Sequence, residues 1–216
     1  VYKAGEELRF QFILLGDAVQ YCEPVIKILA ETRWFKMGAE RKLFELTEIR
    51  QGQTLQLIWK NGGVEWKNAV SQLVPDTAQK NSTYGSIHFL TPLRIRRKGR
   101  LLLTVDFPTI IRNITRRMSD LTERYGGYVD FAEIEALQYL SEMVQEVSSG
   151  VYLNNIDRYS TRRNMKMDLS GLMGAMTFQG ELSVFTPWLN AASVLHIGRN
   201  VTFGCGKIDV VFGNIE

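Results

Sequence analysis

Three glycines near the end of the chain constrain the local fold more than any other sequence feature does. Gly198, Gly204 and Gly206 fall within residues 195–212, in a run that reads LHIGRNVTFGCGKIDVVF. Glycine allows tight turns and lets a backbone approach a ligand closely. The spacing predicts a loop that enters a final strand at residues 208–212. Backbone N–H groups in such a loop could hold a phosphate, and an ordinary glycine-rich turn is the alternative.

Basic and polar residues surround these glycines and favour an anionic ligand. Arg199, Asn200, Thr202 and Lys207 lie in the loop, and His196 lies at its entrance. An unperturbed imidazole titrates near neutral pH, which makes His196 a candidate general acid or base. Alternatively, His196 only supports the loop by a hydrogen bond to its backbone.

The distribution of charge along the chain indicates more about possible partners than the net charge does. The formal net charge of +3 is too small to imply nucleic-acid binding. Between residues 94 and 124, however, there are nine basic residues and only three acids. The nine are Arg94, Arg96, Arg97, Lys98, Arg100, Arg112, Arg116, Arg117 and Arg124. A second cluster comprises Arg158, Arg162, Arg163 and Lys166. Such clusters favour a polyanionic partner, and a solvated helix face is the alternative.

The two ends of the chain carry similar predicted orders of elements. Alternating apolar residues predict a strand at residues 8–14, Pro24 opens a helix, and residues 43–49 alternate again. The C-terminal portion has a strand, a helix that Thr186 caps, the glycine loop and the last strand. Each end therefore indicates a strand-helix-strand unit.

From this order we predict an α+β fold with a ferredoxin-like (RRM-like) unit. Residues 1–50 and 165–216 would form this unit, which includes the glycine loop. Residues 51–164 would form a large inserted basic lobe of hairpins and two helices. Asn61-Gly62-Gly63 predicts one hairpin turn, and apolar spacing predicts the second helix over residues 131–147.

Several classes of function lack their usual sequence signatures. The two cysteines, Cys22 and Cys205, form neither a metal motif nor a disulfide framework, which favours a reducing cytoplasm. No signal sequence or membrane-spanning apolar stretch is present in the sequence, so we expect no membrane association. We expect no metal or cofactor, because no clustered set of Asp, Glu and His is visible. The patterns typical of nucleotide-binding modules are missing too.

Segments along the chain resemble one group of proteins. They read LRFQFILLGDAVQY, FLTPLRIRRKG, NITRRMSDL, and GAMTFQGEL followed by LHIGRNVTFGCGKIDV. These segments are similar to the RAMP superfamily of CRISPR-associated proteins, and in particular to its precursor-crRNA-processing endoribonucleases. Members usually carry a further N-terminal region, which the resemblance implies is missing here, and the start at Val1 suggests the same.

The resemblance implies cleavage of repeat RNA without a metal ion. The 2′-hydroxyl would attack the adjacent phosphorus and leave a 2′,3′-cyclic phosphate and a 5′-hydroxyl. This reaction needs a base, an acid and cations that stabilise the phosphorane. The alternative is a non-catalytic crRNA-binding RAMP subunit of an interference complex, because the same loop would serve binding in both. The expected partners are repeat RNA or crRNA and other Cas proteins, and the sequence indicates no oligomeric state.

The predicted site residues fall into two roles. The catalytic candidates are His196, Tyr159 and Arg163, and a plain basic connection is the alternative for the last two. RNA binding is assigned to the glycine loop, the basic turn, one helix face and two residues of the second cluster. These residues are Gly198, Arg199, Asn200, Thr202, Gly204, Gly206, Lys207, Arg94, Arg96, Arg97, Lys98, Arg112, Arg116, Arg117, Arg162 and Lys166.

Three further residues are candidates for other roles, and two of them have two interpretations each. His88, in a predicted strand, either has a structural role or reaches a groove. Tyr84 and Phe203 could stack on unpaired bases. Alternatively, Phe203 anchors the loop in the core.

Overall fold

The chain contains helices and antiparallel sheets, which confirms the predicted α+β class. The computed structural model describes residues 3–38, 40–69, 81–160 and 164–214. Contacts divide the chain into two units, Val1–Leu73 and Val74–Glu216. Within the described ranges, no helix is long and apolar enough to cross a membrane.

The N-terminal unit, Val1–Leu73, contains a short helix and two small sheets in its described part. Helix α1 spans Cys22–Thr32 after a 3-10 turn at Gly16–Tyr21, and Pro24 lies in its first turn as predicted. The strands are β1 (Trp34–Met37), β2 (Lys42–Glu45), β3 (Glu48–Arg50), β4 (Leu57–Lys60) and β5 (Gly63–Val64), with a 3-10 turn at Trp66–Asn68. β1 pairs with β2, and β4 pairs with both β3 and β5.

The hairpin predicted at Asn61-Gly62-Gly63 is present. Asn61 and Gly62 have positive φ angles of 49° and 88°, and they connect Lys60 to Gly63, which pair across the strands. Two such residues form the turn whose twist matches the twist of the flanking strands. The local sequence is therefore sufficient to specify this turn.

The strand predicted at residues 8–14 is not formed. These residues have no regular secondary structure, and Phe10 and Phe12 are exposed. The two rings lie 6.1 Å apart, so alternating residues do share a side of the segment. A strand also needs ladder pairing with a neighbouring strand, and the sheets formed by the described residues do not include this segment. Alternation alone does not make it a strand.

The C-terminal unit, Val74–Glu216, contains the longest elements. Its helices are α2 (Phe107–Tyr125), α3 (Phe131–Ser141) and α4 (Thr186–Leu195), with 3-10 turns at Ser183–Phe185 and Val201–Phe203. Its strands are β6 (Tyr84–Leu93), β7 (Arg96–Arg97), β8 (Arg100–Leu101), β9 (Gln145–Ser149), β10 (Tyr152–Asn154), β11 (Asp157–Ser160), β12 (Met165–Asp168), β13 (Gly171–Gln179) and β14 (Ile208–Gly213). Asp106 caps α2 by accepting a bond from the Thr109 N–H.

One five-stranded antiparallel sheet organises this unit. Its strands follow the order β10-β13-β6-β14, and β9 also pairs with β13. β6 is therefore central, with His88 opposite both Ala175 of β13 and Asp209 of β14. The smaller pairs β7-β8 and β11-β12 are hairpins outside this sheet.

The helices contribute to a core on one face of the sheet. Ile87 and Phe89 of β6 are buried there, whereas His88, between them, is exposed. Ile110 and Ile114 of α2 are fully buried in the same cluster. Full burial of one such side chain contributes about 1.5–3 kcal/mol, so α2 is held firmly against the sheet.

Helix α3 ends earlier than its apolar spacing predicts. The prediction runs over residues 131–147, but the helix ends at Ser141 and the next residues form β9. The backbone of β9 pairs with β13, which places Gln145 opposite Gln179. Pairing with an existing sheet outweighs the helical spacing of Val147.

The two units do not follow the predicted division of the chain. The prediction joins residues 1–50 to residues 165–216 and treats residues 51–164 as an insertion. In the structure, β6 and α2, from the predicted insertion, share one unit with β13, α4 and β14. The position of β6 between β13 and β14 rests on pairings between residues far apart in sequence, which local patterns do not reveal.

Candidate functional site

Arg94 follows β6 and is buried, with 3% of its surface exposed. Its guanidinium donates to the carbonyl oxygen of Ser170 and, at 3.1 Å, to Oδ2 of Asp168. Hydrogen bonds from Ser170, and then the bond from Arg94, lower the pKa of Asp168 to about 2. The guanidinium of Arg94 is thus used inside the protein, which corrects its predicted role as an RNA contact.

Backbone hydrogen bonds attach the glycine loop to the end of β6. The Arg199 N–H donates to the carbonyl of Arg94 at 2.8 Å, and the Gly206 N–H donates to the carbonyl of Pro92 at 3.1 Å. The side chain of Arg199 remains exposed. Both ends of the loop are therefore fixed to one short segment of the chain.

Glycine occupies the three positions of the loop for different structural reasons. Gly206 has a φ of +75°, and a Cβ there would lie 1.8 Å from the carbonyl oxygen of Ile197. Gly198 has a φ of +81°, and a Cβ there would lie 2.7 Å from the carbonyl oxygen of Arg94. Gly204 also has a positive φ, +84°, but a Cβ would meet no atom within 4 Å. Close approach therefore requires glycine at two positions, and backbone conformation favours it at all three.

Most N–H groups of the loop are used within the protein, which narrows the predicted phosphate cradle. The Phe203 and Gly204 N–H groups donate to the carbonyls of Asn200 and Val201, both at 2.9 Å. Among the residues that the structure describes, four loop N–H groups have no hydrogen-bond acceptor, and they belong to Gly198, Asn200, Val201 and Thr202. These are the groups available to an anion.

His196 lies where α4 meets the loop. Its Nδ1 is 3.3 Å from the carbonyl oxygen of Cys205. A carbonyl oxygen only accepts, so this contact needs the proton on Nδ1 and leaves the lone pair of Nε2 free. Burial lowers the pKa of His196, and the nearby charges of Lys207 and Arg117 lower the pKa further, while the bond to Cys205 opposes them. The imidazole is therefore neutral at neutral pH.

Helix α2 presents its three predicted arginines in two directions. Arg112 and Arg116 are exposed one turn apart. Arg117 is half-buried, and its buried Nε has no hydrogen-bond partner in the described part of the chain. Buried donors are usually satisfied, so an unpaired one near His196 marks a position where an anion would be stabilised.

The basic turn forms the β7-β8 hairpin. Arg96, Arg97 and Lys98 are exposed on it. Nη2 of Arg97 donates to Oγ1 of Thr109 at 3.2 Å, which connects the hairpin to the first turn of α2. The cations of the hairpin thus lie beside those of the helix.

Phe203 is exposed at the tip of the loop, with 46% of its surface accessible, which corrects the prediction of a core anchor. The Cζ of Arg158, on β11, lies 5.1 Å from the centroid of its ring. Arg158 was not among the predicted site residues. Its charge was the only sequence signal, because the approach of β11 to the loop depends on folding.

Tyr159 and Lys166, two other predicted residues of the β11-β12 hairpin, make polar contacts within that hairpin. The hydroxyl of Tyr159 donates to Oδ1 of Asn164 in the same hairpin. Lys166 is exposed, and its Nζ lies 3.7 Å from Oδ2 of Asp157. Two predicted residues lie outside the described part of the chain, Arg162 and Arg163.

The structure therefore brings the glycine loop, His196 and Arg117 together and leaves His88 apart. His88 is exposed on the central strand, opposite Asp209. Within the described ranges, no group of three or more His, Cys, Asp or Glu side chains could hold a metal ion. Chemically, the site offers free N–H groups, cations, one neutral imidazole and an exposed aromatic ring.

A comparison of sequences places this site in a known family. The model of the CRISPR-associated endoribonuclease Cas6 family matches residues 87–208, more than half of the chain. The chain belongs to this family. A second family model, described as an N-terminal domain, matches residues 1–72. No curated protein matches the chain in sequence.

Solved structures share the fold at low sequence identity. A Cas6-RT-Cas1--Cas2 complex has a TM-score of 0.54 and 10% identity, over 90% of this chain and 21% of that chain. Cas6 of Thermus thermophilus has a TM-score of 0.46 and 15% identity, over 61% of this chain. The match covers 55% of the Thermus chain, so it spans about half the length of that protein.

Two glycines of the loop should respond differently to the same substitution. Gly206→Ala should lower the free energy of unfolding by more than about 3 kcal/mol, because the new Cβ meets the backbone of Ile197. Gly204→Ala should cost only about 1–2 kcal/mol, since strain in φ is the only penalty. Urea unfolding followed by circular dichroism measures both. Equal losses would contradict the separate roles.

Asp168 should contribute a measurable acid dependence to stability. Its pKa is lowered from 3.8 to about 2 in the folded protein, so its contribution is present above about pH 4 and is lost as pH falls to about 2. Asp168→Asn should lower the free energy of unfolding at pH 7 and remove that part of the acid dependence. Asp157→Asn, which changes an exposed pair, is the matched control and should have little effect. Unfolding in urea from pH 3 to pH 7 tests this, and indistinguishable slopes for wild type and Asp168→Asn would refute it.

Proposed function

We propose that this chain processes CRISPR repeat RNA and that it cuts the RNA at the glycine loop. The observation that carries the proposal is the position of His196. It lies against the loop, and Lys207 and Arg117 are close enough to lower its pKa. A neutral imidazole beside two cations supplies a base and stabilises developing negative charge. Membership of an endoribonuclease family supports this assignment.

The proposed chemistry is attack by the 2′-hydroxyl without a metal ion. Nε2 of His196 would take the 2′ proton as the bond from the 2′-oxygen to phosphorus forms and the bond to the 5′-oxygen breaks. Lys207 and Arg117 would stabilise the phosphorane, and the products would be a 2′,3′-cyclic phosphate and a 5′-hydroxyl. The departing 5′-oxygen would take its proton from solvent water, and Tyr159 and Arg163 stay candidates for stabilising charge or binding the scissile strand.

The exposed cations would hold the RNA in place. Double-stranded RNA is recognised largely through its phosphates and its wide minor groove. Arg96, Lys98, Arg112 and Arg116 are exposed on the β7-β8 hairpin and on α2, and arginine suits bidentate phosphate contacts. Arg199 and the free N–H groups of the loop would bind nearer to the cleaved bond.

We also propose that the C-terminal unit is the ferredoxin-like RAMP unit. Apart from the β7-β8 and β11-β12 hairpins, its elements follow the order strand, helical pair, strand pair, strand, helix and strand. The sheet order β14-β6-β13-β10 places the first and third strands of that series at the centre, as in a split βαβ arrangement. Both halves then lie within residues 84–213. Other Cas proteins are proposed partners, in line with the related Cas6-RT-Cas1--Cas2 complex.

The second candidate function is crRNA binding without cleavage. It is favoured by the contact between Nδ1 of His196 and the carbonyl of Cys205, which is the bond that a purely supporting histidine would make. The same cations would then retain crRNA in an interference complex. The two functions differ in one result, the fate of the RNA backbone.

Removal of the His196 imidazole should separate these functions. His196→Ala should lower cleavage of the cognate repeat RNA in EDTA by roughly a hundredfold or more while RNA affinity stays similar, because only the base is lost. His88→Ala, which removes the exposed histidine on β6, is the control and should cleave normally. Gel analysis with end-group mapping should find a cyclic phosphate. Binding by wild type without cleavage would favour the second function, and full cleavage by His196→Ala would exclude His196 as the base.

Reversal of one exposed charge should test the RNA surface. Arg96→Glu should weaken binding of repeat RNA and reduce the slope of log affinity against log salt by about 1, because a phosphate contact is lost. Arg124→Glu makes the same change at the far end of α2, outside the proposed surface, and should affect both quantities less. Fluorescence anisotropy at several salt concentrations measures them. Identical salt slopes for Arg96→Glu and wild type would remove the hairpin from the RNA-binding surface.

A further inference from the structure

The backbone of Phe203 is held in a turn, although the ring of this residue is exposed. It ends the 3-10 turn Val201–Phe203, and its N–H donates to the carbonyl of Asn200 at 2.9 Å. Asn200 and Gly204 flank the turn in left-handed conformations, with φ of 65° and 84°. The turn therefore fixes the backbone of Phe203, and the ring is left accessible to solvent.

A cation and free hydrogen-bond donors lie beside this ring. The guanidinium of Arg158 covers it at 5.1 Å, a distance typical of a cation–π contact. The N–H groups of Val201 and Thr202, in the same turn, have no acceptor within the described ranges. One short turn thus combines an aromatic face, a positive charge and donors for a phosphate, which are the parts that a single nucleotide requires.

We propose that Phe203 and Arg158 form a stacking site for one unpaired nucleobase of the bound RNA. The site rests on the proposed function and adds a contact that reads an unpaired position next to the duplex. The base stacks on the open part of the Phe203 ring, and its phosphate lies toward the N–H groups of Val201 and Thr202. Every base has an aromatic face, so the site recognises an unpaired base rather than a particular letter.

Lys27 lies over the ring of Trp66 and Arg124 over that of Tyr125, but neither ring lies in the glycine loop. Phe131 is more exposed, at 73%, but it begins α3 next to Asp130 and close to Glu133. Carboxylates repel the phosphates of RNA. Phe131 is therefore a matched control, because it is an exposed phenylalanine of the same unit and, among the described residues, no cation lies over its ring.

The experiment uses the full chain and repeat RNA in which 2-aminopurine replaces each unpaired base in turn. Wild type and Phe203→Tyr should quench the fluorescence strongly at one position, and Phe203→Leu should lose that quenching. Phe203→Leu should also weaken RNA affinity roughly fivefold to hundredfold, the range for one base–aromatic stack. The salt dependence should stay unchanged, because no phosphate contact is removed. Phe131→Leu should match wild type in every measurement.

An abasic nucleotide at the quenched position completes the test. It should weaken binding to wild type and leave binding to Phe203→Leu unchanged, since the stack is already lost. If Phe203→Leu binds RNA like wild type while Arg96→Glu binds weakly, the stacking site is refuted and the RNA-binding function stands. If wild type does not bind repeat RNA, the proposed function and the stacking site both fail.

Discussion

The buried guanidinium of Arg94 is the contact on which the glycine loop depends. The guanidinium donates to the carbonyl of Ser170 and to the carboxylate of Asp168. The backbone carbonyl of Arg94 accepts the N–H of Arg199. A buried charge is costly unless it is paired and hydrogen-bonded, and these two acceptors satisfy it. One residue therefore joins the start of β13, the end of β6 and the loop, so the loop takes its position from the central sheet.

The remaining parts of the site follow from that attachment. With the loop fixed to β6, His196 is held at the junction with α4, and Phe203 is held at the tip. Helix α2 is placed independently, because its isoleucines are buried against the sheet. Arg117 reaches the surroundings of His196 as a result of that packing. The positions of these side chains are thus set by the core rather than by contacts among the charged groups themselves.

Local chemistry made parts of this arrangement predictable, and non-local pairing made others unpredictable. The turn at Asn61-Gly62 and the glycines of the loop depend on backbone angles that few residues adopt, so the sequence alone indicates them. The absence of a strand at residues 8–14 depends on whether a partner strand is available, and the sequence pattern contains no such information. For the same reason, neither the division into units nor the approach of Arg158 to Phe203 could be predicted from the residues.

The basic cluster shows why charge in a sequence does not translate directly into a binding surface. Arg94, Arg96 and Arg117 belong to one run of cations, yet their burial differs. Arg94 is buried, and its guanidinium donates hydrogen bonds to other groups of the protein. Arg117 is half-buried with one donor unpaired, and Arg96 is exposed. Screening by salt weakens the attraction of exposed charges most, so under the proposed function Arg96 would act on association with RNA. A half-buried cation is screened less, so Arg117 would be the better placed of the two to stabilise the charge that develops in the proposed reaction.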